Sequence, residues 1–126
     1  MGHDRLGHGG EGTAGAGGVG LLLTQLAAAR GARVITTAST EAKRELSRAA
    51  GAAAAVDYPE LAATVERLTD GQGAHAVFDG VGKDTFNESL EAVRPRGLVC
   101  LFGAASGPVD PIDPQILNTH GSIFLT

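Results

Sequence analysis

The chain has little of what builds a cross-linked, aromatic or membrane protein. One cysteine, no tryptophan, one tyrosine and four phenylalanines occur in 126 residues. A single thiol excludes a disulfide framework and any metal cluster held by several cysteines. No apolar run approaches the ~18 residues of a membrane span. The opening MGHDRLGHGG lacks the apolar stretch of a secretory signal. Cations are also scarce: 10 Lys and Arg against 14 Asp and Glu give a formal net charge of −4 and a pI near 5.4. That balance argues against a generic nucleic-acid binder. The absences leave a soluble, cytoplasmic chain with no nucleic-acid or membrane partner as the expectation. Its length suits one small domain.

Large apolar side chains are missing from the start of the chain too. Leu6 is the only one before Val19, and nine of the first 20 residues are glycine. No strand is readable there, so residues 1–13 are expected to be disordered. From Val19 onward the texture changes. Val19, Leu22, Leu23, Leu26 and Ala27 recur at helical spacing and predict an amphipathic helix to about Arg30, stopped by Gly31. Arg33–Thr37 reads as a buried strand. Thr40 reads as the N-cap of a helix that ends at Gly51. Ala54–Asp57 is a short strand, and a helix beginning near Pro59 carries Leu61, Val65 and Leu68 on one face. After a turn at Asp70–Gly73 come a strand at Ala76–Asp79, a helix at Lys83–Val93 and a strand at Leu98–Phe102. A loop at Gly103–Pro114, one helical turn at Pro114–Asn118 and a strand at Ser122–Leu125 follow. Strands apolar throughout, alternating with helices, mean βαβ units and a parallel sheet covered on both faces.

Gly15-Ala16-Gly17-Gly18-Val19-Gly20 matches the G-x-G-x-x-G spacing of dinucleotide sites. One glycine makes the tight turn, another lets the backbone approach a pyrophosphate, and the last lets the helix pack on the sheet. The helix N-terminus then offers N–H groups and a positive dipole end. The motif is weak alone in so glycine-rich a stretch, and a flexible glycine tract before a helix is the bland alternative. At the end of the next strand, NAD sites usually place an acid for the ribose 2′-OH. Here that stretch is Thr36-Thr37-Ala38-Ser39-Thr40, followed by Glu41, Lys43 and Arg44. Small hydroxyls with a cation suit a 2′-phosphate, so NADP(H) is the expected cofactor. Asp79 ends a strand, where it either borders a ligand or caps the next turn. Ser106, in a glycine-rich loop, stands alike. Cys100 reads as a buried structural thiol and cannot by itself form a zinc site. His75 and His120 read as surface histidines.

Taken together in order, AGAGGVG, LLLTQLA, RVITTASTEAK, AVDYPE, AVFDGVGKDTF, VRPRGLVCLFGAASG and ILNTHGSIFLT resemble the zinc-independent quinone oxidoreductases. These belong to the medium-chain dehydrogenase/reductase superfamily and include the zeta-crystallin type. The likeness runs from about Ala14 to Thr126. It implies a Rossmann-type, doubly wound α/β domain over residues 14–126 that binds NADPH for hydride transfer to a quinone or enone. It implies pyrophosphate contacts at Gly17, Gly18, Val19 and Gly20, and a 2′-phosphate contact at Lys43, beside which Ser39 is the candidate from the hydroxyls after the strand. Tyr58 would lie near the adenosine phosphate. The loops Asp79–Gly82 and Phe102–Gly107, with Asp79, Gly80, Gly103 and Ser106, would border the nicotinamide. No catalytic side chain and no metal ligand is implied. The edge Ser122–Leu125 is where the resemblance places a partner subunit.

Two parts of the resembled pattern are missing from the sequence. No residues are present for the GroES-like substrate domain, so the chain alone is expected to turn over poorly. The strand before the glycine turn, the sheet's centre, is expected to be degraded and the sheet incomplete. A shifted reading frame would account for both, since codons for His3–Gly10 read one base later can spell Thr-Thr-Val-Leu-Val-Thr-Ala-Ala. A non-enzymatic remnant or nucleotide-binding fragment is one alternative reading. An enoyl reductase domain of a polyketide or fatty-acid synthase is the other.

Overall fold

A computed structural model of the protein describes residues 10–12 and 18–126, with 10–12, 18 and 19 described by backbone alone. The described residues form a parallel sheet of six strands in the order β3-β2-β1-β4-β5-β6. This is the doubly wound order expected of a Rossmann domain.

The first strand is the main correction to the sequence reading. β1 (Gly10–Gly12) exists and occupies the centre of the sheet. It pairs with β2 (Val34–Thr37) through Gly10↔Val34, Glu11↔Ile35 and Gly12↔Thr36, and with β4 (Ala74–Asp79) through Glu11↔Val77 and Gly12↔Phe78. A parallel ladder is made by backbone N–H and C=O groups, which glycine carries as well as valine does. With apolar strands on both sides, this one needs no side-chain signal of its own. The sheet is therefore not split, and the missing strand that a frame shift was to explain is present. Residues 1–9 and 13 of the segment expected to be disordered lie outside the described residues.

α1 (Gly18–Ala29) follows. Its predicted apolar face is corrected as well. Leu22 and Leu26 are 60% and 58% exposed, whereas Thr24 is buried and donates its hydroxyl to the Gly20 carbonyl at 2.8 Å. Gly20 is buried too. Small residues let the helix lie close, and the bulky leucines turn outward. The neighbouring helix is equally near: a Cβ on Gly51 would sit 2.8 Å from the Ala28 Cβ.

α2 (Glu41–Ala49) is capped by Thr40, as predicted, whose side chain accepts from the Lys43 N–H. β3 (Ala54–Val56) lies on the outer side of β2. A single 3₁₀ turn at Tyr58–Glu60 takes the place of the first helical turn expected near Pro59, and α3 (Leu61–Leu68) begins after it. Leu61 and Val65 are fully buried, as their spacing requires. α4 (Phe86–Ala92) is shorter than the helix read from the sequence, because residues 82–85 form a turn instead.

β5 (Val93–Leu101) starts earlier than expected. Ala74 pairs with Val93 and Ala76 with Leu98, so Arg94–Gly97 bulge out between the two pairs. Arg96 takes a left-handed φ of 60° there, and a Cβ on Gly97 would meet the Val93 Cγ2 at 2.6 Å. α5 (Gln115–Thr119) and β6 (Phe124–Leu125) follow, with β6 paired among the described residues to β5 alone. The core is one cluster: Ile35, Leu61, Val65, Val77, Phe86, Leu90, Val99 and Ile123.

The burial pattern separates two leucines of equal size. Leu61→Ala should lower the unfolding free energy by about 2–5 kcal/mol, as buried truncations do. Leu26→Ala should stay within about 0.5 kcal/mol of the parent. Urea unfolding followed by circular dichroism measures both. An equal cost at the two sites would mean that α1 buries its leucine stripe.

Candidate functional site

All strands of a parallel sheet end at one edge, and the strand order here reverses between β1 and β4. Crevices for ligands form outside the carboxyl ends at such a reversal. The residues singled out by sequence lie along this edge. Ser39 and Lys43 follow β2, Tyr58 follows β3, Asp79 and Gly80 end β4, and Gly103 and Ser106 follow β5. Gly18, Val19 and Gly20 open α1 after β1, while Gly17 lies outside the described residues.

The loops after β4 and β5 are joined into one unit by Asp79. Its carboxylate is fully buried. Oδ1 accepts from the Val81 N–H at 2.9 Å, the Gly82 N–H at 3.0 Å and the Thr85 hydroxyl at 2.8 Å. Oδ2 accepts from the Ser89 hydroxyl at 2.8 Å. Of the two roles open to Asp79, the structure shows the turn cap: the side chain points into the protein. Thr85 and Ser89, the two hydroxyls that hold the Asp79 carboxylate, are residues of this region that sequence reasoning missed. Hydroxyls six and ten positions after a strand-terminal acid were the available signal.

Across from it, the β5 loop is fastened to the β4 loop. Phe102 N–H donates to the Asp79 carbonyl and Ser106 N–H to the Val81 carbonyl. The Ser106 hydroxyl donates to the same Val81 carbonyl at 2.8 Å and accepts from the Asp84 N–H at 3.0 Å. Ser106 is thus a tie between loops. Gly80 and Gly103 are where the loops touch. A Cβ on Gly103 would lie 2.6 Å from the Gly80 carbonyl oxygen, and one on Gly80 would lie 2.8 Å from the Phe102 ring. Phe102 itself is 43% exposed over Gly80.

The turn between β2 and α2 has different chemistry. β2 is buried to its last residue, and the chain surfaces at Ser39 and Thr40. The Thr40 hydroxyl is taken by the helix cap. Ser39 and Lys43 are exposed, and among the described residues Lys43 has no ion-pair partner. Glu41 does have partners: Arg48 first, then Arg44, hold its carboxyl below the ordinary glutamate range by hydrogen bonding to it. Further along the edge Tyr58 is half-buried. Burial pushes its phenol above the usual value, and the charges of Asp57 and Asp79 add to that. This set fits a phosphorylated nucleotide: an exposed hydroxyl, an unpaired ammonium, a helix N-terminus and glycines where backbone must come close.

No group of three His, Cys, Asp or Glu side chains among the described residues is placed to hold a metal ion. Cys100 stands alone in β5. A surface groove lined by Ala63, Glu66, Gln72, Glu91 and Pro95 opens at the N-terminal ends of β4 and β5, the far edge of the sheet. No helix among the described residues is long and apolar enough to cross a membrane.

Comparison with known proteins extends this picture. The family described as zinc-binding dehydrogenase matches residues 18–124. A quinone oxidoreductase of Pseudomonas aeruginosa is 46% identical over 115 residues, which is 90% of this chain and 35% of that protein. A 2-haloacrylate reductase of Burkholderia is 41% identical over 116 residues, again 35% of its length. Among solved structures, a mycobacterial quinone oxidoreductase superposes with a TM-score of 0.91 at 55% identity, over 95% of this chain and 38% of that one. The quinone oxidoreductase of Escherichia coli, solved in complex with NADPH, gives 0.89 at 38% identity, over 95% of this chain and 37% of that one. The chain thus spans little more than a third of the length of these relatives.

The Asp79 network generates a stability prediction. Asp79→Asn keeps the shape but turns one acceptor oxygen into a donor facing donors. It should cost about 1–3 kcal/mol, as buried unsatisfied groups do. Ser106→Ala, which leaves Asp79 intact, should cost about 0.5–1.5 kcal/mol. Chemical denaturation checks both, and an Asp79→Asn variant as stable as the parent would contradict the network.

Proposed function

The chain belongs to the zinc-binding dehydrogenase family, and from that premise we propose that it is the cofactor-holding domain of an NADPH-dependent quinone oxidoreductase. The observation that carries this reading is the turn after β2. It ends a buried strand on Ser39 and Thr40 with no acid at the strand end, and it presents Lys43 unpaired among the described residues. The similarity to quinone oxidoreductases, one of them solved with NADPH, supports it independently.

In this reading the turn of Gly17, Gly18, Val19 and Gly20 faces the pyrophosphate at the positive end of α1. Ser39 and Lys43 hold the 2′-phosphate, and Tyr58 lies beside the adenosine phosphate. Gly80 and Gly103 let the two loops pack on each other, and the joined loops border the nicotinamide side. Asp79 and Ser106 act behind them by fixing the two loops. When bound, NADPH supplies the hydride. The chain's own residues bind it, orient it and keep one side of it from water. The acceptor in the whole protein is a quinone or a related electrophile, and the setting is the cytoplasm. The family's name carries zinc, but the described residues offer no ligand set for it, and no step here uses a metal.

The free edge of β6 supports a second, dependent proposal: a homodimer through residues 122–125. Phe124 is 65% exposed on a strand with one neighbour, and such edges invite pairing.

Two measurements test these readings. Fluorescence titration should show NADPH binding more tightly than NADH. Lys43→Glu should weaken NADPH by about 1.5–3 kcal/mol and leave NADH nearly unchanged. Equal affinity for both nucleotides, before and after the change, would overturn the cofactor assignment. Sedimentation should show a dimer that Phe124→Lys dissociates. A monomeric parent would remove the dimer and leave the cofactor reading standing.

A further inference from the structure

A first-turn acid and a bound phosphate want opposite things at the start of α2. Glu41 suits the positive end of the helix dipole. It also stands two residues before Lys43, where its charge would repel a 2′-phosphate. The structure pairs that charge at both of its oxygens. Arg44 Nε donates to Glu41 Oε1 at 3.0 Å, and Arg48 Nη1 donates to Glu41 Oε2 at 3.0 Å. Both carboxylate oxygens are therefore bonded to guanidinium groups.

Arg44 does more than pair. Its Nη1 donates to the Ala38 carbonyl at 2.8 Å. That carbonyl belongs to the residue between β2 and Ser39, and without a donor it would aim a negative dipole end into the turn. One side chain thus screens two acceptors at the mouth of the site. Its position is also well defined, since the Arg44 side chain is only 21% exposed against 62% for Glu41. Arg48 is anchored differently. It shares Nη1 with Glu45 Oε1 at 2.6 Å and reaches the Ala55 carbonyl of β3 at 3.5 Å. The pair therefore ties α2 to the residue after β2 and to the middle of β3.

From this arrangement we infer that Arg44, assisted by Arg48, is a specificity-determining positioning residue. By covering the Glu41 carboxylate and the Ala38 carbonyl, it makes the turn after β2 accept a 2′-phosphorylated nucleotide. The inference rests on the reading of that turn as the NADPH site. Lys43 supplies the attraction, and Arg44 removes the repulsion that would cancel it.

The test is a double-mutant cycle on the whole chain, read by NADPH and NADH fluorescence titration. Arg44→Gln should weaken NADPH about three- to fivefold, the scale of an exposed ion pair, with NADH changed less than twofold. Glu41→Gln added to Arg44→Gln should recover most of that loss, because no charge is then left to cover. Glu41→Gln alone should leave NADPH binding within twofold of the parent. Arg44→Lys should fall between parent and Arg44→Gln, since one ammonium cannot reach both acceptors as the planar fork does. Thermal melts of each variant confirm equal folding. An Arg44→Gln loss shared equally by NADPH and NADH would overturn the inference and mark a purely structural role. So would a loss that Glu41→Gln fails to recover, or no loss at all. A parent chain that binds neither nucleotide would instead overturn the cofactor reading beneath it.

Discussion

Three backbone residues hold the two halves of this sheet together. β1 is the strand that β2 and β4 share, and it is three residues long. It contributes hydrogen bonds rather than side-chain volume to the sheet that others have made apolar. Without it, β3 and β2 with their helices would form one layer and β4, β5 and β6 another, each with an open edge. The reversal of strand order, and with it the edge along which the candidate residues lie, exists only because this short ladder joins the two sides.

On that frame the site divides into a rigid part and a charged part. The rigid part is built around one buried carboxylate. Asp79 gathers two backbone N–H groups and two hydroxyls, so the loop after β4 is set by a carboxylate turned into the protein. The charged part lies on the turn after β2, where exposed side chains work near the helix start and each ion pair is individually weak. Geometry at one end and electrostatic balance at the other are therefore controlled by different elements, β4 with α4 in one case and α2 in the other.

How legible this was in the sequence depended on whether the signal was local. Thr40 capping α2 was readable because a cap is a contact within one turn. The strands read at Arg33–Thr37 and Ala76–Asp79 correspond to β2 and to all but the first two residues of β4, because β-branched or apolar residues cluster there. β1 was not, since Gly-Glu-Gly pairs through its backbone and shows no pattern. The face of α1 was misjudged because the helix is apolar on most sides, and closeness to the sheet selected its smallest residues rather than its largest. At the site, Ser39 and Lys43 could be named from strand-end chemistry. The inward turn of Asp79 could not, because it depends on where α4 carries Thr85 and Ser89 in space.

The bulge in β5 has a mechanical consequence. α4 runs directly into the strand with no loop between Ala92 and Val93, and the spare length appears instead at Arg94–Gly97, between two paired stretches. The extra residues are not slack. The Arg96 N–H donates to the Gly121 carbonyl at 2.8 Å, and a Cβ on Gly97 would meet the Val93 Cγ2 at 2.6 Å. The bulge therefore works as a fastening: it ties the start of β5 to the turn that leads into β6. The outermost strand is held at its entry by a backbone bond from inside its neighbour as well as by its own ladder.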